Sequence, residues 1–115
     1  MSENDQPEIA LSERPIRVLD LVSVAPEATV SRVLLRTSGG SVTLFAFAAG
    51  QELSEHTAPF DALVHVLEGE LALTIGGSGQ RARVGDMVRM PAGIPHALHA
   101  PVDAIMLLTM LRPRE

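Results

Sequence analysis

Cysteine, lysine, tyrosine and tryptophan are all absent from this 115-residue chain, and phenylalanine occurs only three times. Without cysteine no disulfide can staple the fold and no thiolate can act as nucleophile. Without lysine or tyrosine, Schiff-base chemistry and a phenolic general acid are excluded as well. Any reaction here falls to histidine, carboxylate, hydroxyl or a bound metal. The shortage of aromatic rings also makes for a poor sugar site, because sugars bind against stacking platforms.

Charge and apolar runs exclude further classes. All nine basic residues are arginine, they are dispersed, and the net charge is −5, so nucleic acid is not an expected partner. Residues 1–10 carry Glu3, Asp5 and Glu8 and have neither a basic start nor an apolar centre, unlike a signal peptide. The longest apolar stretch near the end, 104–111, is interrupted by Thr109 and is too short to span a bilayer. A soluble cytoplasmic protein without membrane association is expected.

A chain of this length suits one compact domain that buries roughly two-thirds of its unfolded surface. Residues 1–15 are polar and end at Pro15, which suggests a loosely docked arm ahead of a single domain over 16–115. From Ile16 onward, short apolar segments alternate with turn residues, the pattern of an all-β protein. Strands are predicted over 31–36, 42–48, 63–67, 71–75, 80–84, 87–90, 96–99 and 104–111. Ser38-Gly39-Gly40 and Gly76-Gly77-Ser78-Gly79 read as hairpin connections, where glycine supplies positive φ. The second is not a phosphate loop, since it opens no helix and carries no lysine.

Two segments hold the chain's most specific spacing. The first keeps Gly50, His56 and Gly69, and the second keeps Gly85, Pro91, Gly93 and His96. In this the chain resembles the cupin superfamily, whose motifs read G(X)5HXH(X)3,4E(X)6G and G(X)5PXG(X)2H(X)3N. Alanine stands at the positions of the second histidine (Ala58), the glutamate (Ala62) and the asparagine (Ala100). The resemblance implies a double-stranded β-helix, a jelly roll closed into a small barrel. It also implies that His56 and His96 face a shared point inside it, where the family holds a divalent metal. Cupin epimerases acting on sugar nucleotides rely on a tyrosine that this chain lacks.

Two imidazoles make half a site for iron, zinc, nickel or manganese; catalytic zinc usually has three protein ligands, and non-haem iron two histidines and a carboxylate. Asp61, one residue before the vacant glutamate position, is the candidate third ligand. On a regular strand it faces away from the cavity if residue 62 faces in, so it reaches a metal only through a loop or bulge. The alternative is that Asp61 bonds nearby backbone amides. The same alternation sends Val64 and Val66 inward and Leu63, His65 and Leu67 outward, and counting from His96 sends His99 outward. Phe60, Val64, Val66 and Leu98 are the expected lining of an enlarged, apolar pocket. Such a pocket suits a small, partly apolar ligand with one anionic or hydrogen-bonding end.

Three functions compete: a small-molecule-binding cupin without robust turnover, a metal-dependent dioxygenase- or isomerase-type enzyme using His56, His96 and Asp61, and a purely structural module. A homodimer is also expected. Residues 104–108 are apolar at every position and Leu63 and Leu67 point away from the cavity, so both faces of one sheet need cover. The alternative cover is the chain's own segment 16–24, through Val18, Leu19, Leu21 and Val22.

Overall fold

The computed structural model describes residues 8–113. Its strands are β1 (Glu8–Ile9), β2 (Thr29–Thr37), β3 (Gly40–Phe47), β4 (Glu52–His56), β5 (Asp61–Glu68), β6 (Glu70–Ile75), β7 (Ser78–Arg83), β8 (Met87–Met90), β9 (His96–His99) and β10 (Ala104–Leu111), with a short 3-10 helix at Val18–Leu21. They form a six-stranded sheet in the order β1-β2-β3-β10-β5-β8 and a four-stranded sheet in the order β4-β9-β6-β7. Every pairing is antiparallel. This is the expected all-β jelly roll.

Local chemistry explains the joints. β2 and β3 pair up to Thr37 opposite Gly40, and β6 and β7 up to Ile75 opposite Ser78, so both hairpins close over two residues. In the second the two residues are Gly76 and Gly77, with φ of 57° and 80°, the two successive positive angles that a type I′ turn needs. Alternation then sorts β5: Ala62, Val64 and Val66 are buried between the sheets, while Leu63, His65 and Leu67 are half-buried on the other side. The first set packs with Phe47, Leu71, Leu73, Leu98 and Met106 in the main core.

Two further features concern the N-terminal arm and the cover of the larger sheet. The polar arm over 1–15 is in part a strand, since Glu8 and Ile9 pair with Arg36 and Leu35 and the Ala10 amide donates to the Leu34 carbonyl at 2.7 Å. Residues 1–7 of that arm lie outside the described residues. Part of the outer face is covered within the chain itself, the alternative to cover by a second copy. On β10, Ala104, Met106 and Leu108 belong to the main core, whereas Ile105 and Leu107 pack on the outer side with Leu67 and with Val18, Leu19, Leu21, Val22 and Val24. The chain's own segment before β2 covers that part of the sheet, which is why β10 can be apolar on both faces.

Candidate functional site: a pair of facing imidazoles

β9 lies within the four-stranded sheet, so its inward positions, His96 and Leu98, are 3% and 2% exposed. β4 is an edge strand, and its path is irregular. Glu52 pairs with His99 and Leu53 with Leu98, but His56, not Glu55, pairs with His96. Two residues, Ser54 and Glu55, therefore stand against one, Ala97, as in a β-bulge. Leu53 packs against the core, and three residues further on a regular strand would point to the opposite face. The bulge restores the phase and aims His56 at His96.

The rings meet edge to face, with centroids 4.3 Å apart and planes inclined by 74°. Their Nε2 atoms are 3.1 Å apart. His56 Nδ1 lies 2.8 Å from the Ser54 carbonyl oxygen, and His96 Nδ1 lies 3.2 Å from that of Ile94. A carbonyl only accepts, so each Nδ1 carries its proton and each Nε2 is left with a lone pair. Two bare lone pairs repel at this separation. The pair is satisfied by one shared proton or by one cation. Burial, and next the neighbouring His56, hold His96 below the ordinary imidazole pKa, with the Ile94 carbonyl opposing them.

The donor set fits a divalent metal in part. Two nitrogens at 3.1 Å are spaced like neighbouring ligands of one ion, because metal–nitrogen bonds of about 2.1 Å would make that separation subtend about 95°. No group of three His, Cys, Asp or Glu side chains converges among the described residues. Asp61 in particular does not join the histidines. Its Oδ1 accepts from the Ala92 amide and its Oδ2 from Arg89 Nε, both at 2.9 Å. Those bonds, the amide first, hold its carboxyl below the ordinary aspartate pKa. Its strand is regular here and Ala62 is 3% exposed, so alternation turns the carboxylate away, toward partners that satisfy both oxygens.

The other singled-out residues separate into two places. Val64, Val66 and Leu98 lie in the main core. Phe60 stands apart from them, half-buried beside a surface hollow of about 290 Å³ that Pro59, Ala92, Leu111 and Arg112 also line. Proline at 59 carries the chain past the barrel rim before β5 begins. His65 is half-buried opposite Leu107, and exposed His99 lies 3.9 Å from Glu52. Ala100 is fully buried; Ala58 contributes its carbonyl, which accepts from the Gly93 amide at 2.8 Å. The Ser54 and Ile94 carbonyls, which set the tautomers, are main-chain groups, and no residue identity signals them.

With the barrel and its paired imidazoles in view, comparison with known proteins is decisive. The family profile of the cupin domain matches residues 43–111. The chain belongs to the cupin family. An uncharacterised protein of Streptomyces coelicolor is 31% identical to this cupin over 81 residues, 70% of the chain and 77% of the relative. A conserved protein of unknown function from Streptococcus pyogenes is 32% identical, with a TM-score of 0.85 over 91% of this chain and 92% of that one. A cupin superfamily protein from Desulfitobacterium hafniense has the same TM-score at 25% identity, over 94% and 99%. No helix among the described residues is long and apolar enough to cross a membrane.

Proposed function

We propose that this cupin is a cytoplasmic small-molecule-binding protein whose ligand engages a two-imidazole half-site at His56 and His96. A divalent ion, iron, zinc, nickel or manganese, would be held there exchangeably. The observation that carries the reading is the 3.1 Å approach of two Nε2 atoms whose Nδ1 partners are carbonyls. Such an arrangement asks for an electrophile, and a metal held by two neutral nitrogens leaves positions for an anionic or hydrogen-bonding ligand end. Alanine at 58, 62 and 100, in place of larger polar side chains, would leave room for the rest of a small, partly apolar ligand.

A dioxygenase- or isomerase-type enzyme needs a firmer grip on its metal. Its natural third ligand, Asp61, is occupied with Arg89 and Ala92, which favours the binder. Metal analysis of untagged protein prepared without chelator, after incubation with each ion and dialysis, distinguishes the two. Metal that is taken up but dialyses away, and that His56→Ala does not take up at all, supports the binder. Stoichiometric metal that survives dialysis and disappears in His56→Ala would favour the enzyme.

A further inference from the structure

The turn that delivers His96 is anchored across the barrel rim. Residues 91–95 link β8 to β9, and their main chain is tied at three points: the Ala92 amide to Asp61 Oδ1, the Gly93 amide to the Ala58 carbonyl, and the Pro95 carbonyl to the Gly76 amide. The first tie leads to Asp61, the first residue of β5, and the second to Ala58 in the short segment between His56 and β5. Asp61 is the one side chain among them. Its second oxygen holds Arg89 on β8, just before the turn, at 2.9 Å. One carboxylate therefore grips the turn and the strand that feeds it. Two residues beyond Ala92 lies Ile94, whose carbonyl faces His96 Nδ1 and fixes its tautomer.

We propose that Asp61 is the positioning residue of the imidazole pair. It sets the 91–95 turn, and through the Ile94 carbonyl it keeps the bare Nε2 of His96 aimed at His56. This deepens the proposed function and rests on reading the pair as a metal half-site, to which Asp61 contributes position and no ligand atom. Losing an outer partner of a metal-binding histidine typically costs tenfold to a hundredfold in affinity.

The test combines two readouts. Calorimetric titration with Ni²⁺, well below the melting temperature, should show Asp61→Ala binding at least about tenfold more weakly than wild type. Asp61→Asn, which keeps an acceptor for the Ala92 amide, should recover most of the affinity. Leu44→Ala, destabilised in the outer cluster far from the turn, should bind like wild type and so separates positioning from general loss of stability. Crystal structures of the metal-free proteins give the second readout: the 3.1 Å Nε2–Nε2 approach should open beyond hydrogen-bond distance in Asp61→Ala. An unchanged separation overturns the proposal, whether or not Ni²⁺ affinity falls. A lost separation in a protein whose wild type takes no Ni²⁺ upholds the positioning role and removes the metal reading instead.

Discussion

His96 reaches the site from an inner strand, 3% exposed, after a turn tied at three points; His56 reaches it from the exposed end of an edge strand, after a bulge, with one bond to a carbonyl two residues back. The same ring is thus rigidly placed on one side and adjustable on the other. Burial fixes His96, since moving it would break packing and leave the Ile94 carbonyl without its donor. His56 has a carbonyl bond of the same kind but is exposed, so packing does not hold it. On the proposed reading, such a half-site would admit ligands of different size by moving one imidazole and keeping the other as reference.

The largest expected effect comes from strengthening the adjustable side. Ala58→His with Ala62→Glu restores the family's ligand set, and Ni²⁺ affinity should rise at least about tenfold, or about 1.4 kcal/mol. Ala62 lies at 3% exposure between Met90 and Met110. A carboxylate placed there without metal costs folding energy, so the metal-free variant should melt below wild type and added Ni²⁺ should reverse the loss. Calorimetry and melting curves with and without the ion check both parts. No gain in affinity would show that the bulged β4 and the 58–61 segment do not present their side chains as the family does.

Next in size is the contrast in stability between the two rings. His96→Ala opens a cavity in the barrel and orphans a carbonyl, at a cost of about 1–3 kcal/mol. His56→Ala removes an exposed ring and should stay within about 0.5 kcal/mol of wild type. Urea unfolding of the two variants gives both numbers. Equal losses would break the contrast between a fixed and an adjustable side.

Much of this arrangement can be read from residue order. Motif spacing was enough to bring His56 and His96 to one point, and alternation along β5 separated Val64 and Val66 from Leu63, His65 and Leu67. Turn glycines located both hairpins. What could not be read depends on partners distant in the chain. The β4 bulge is visible only in its register against β9, and Arg89 lies 28 residues from the Asp61 it holds. Phe60, expected to line or cap the pocket, sits beside a surface hollow with Pro59 and the end of β10, the latter distant from it in the chain. The choice of cover for Ile105 and Leu107 stayed open for a related reason: the residues over them form a 3-10 turn and loops, whose apolar positions have no regular period to announce the face they cover.

The smallest expected effect is a dependence of stability on pH, and it also tests the contrast. His96 has its pKa lowered in the folded protein, chiefly by burial, so the unfolded chain binds a proton there more readily than the folded one. Stability from this group is then complete above the ordinary imidazole pKa of about 6.5 and declines as pH falls through the lower folded value. Melting temperature measured from pH 7.5 down to pH 5 should fall more steeply for wild type than for His96→Gln, which cannot titrate. His56→Ala removes the neighbouring charge but leaves the burial that is the larger cause, so it should keep most of the slope. If His56→Ala abolished the slope instead, repulsion between the rings, and not burial, would govern His96, and the rigid side of the site would owe its protonation state to the adjustable one.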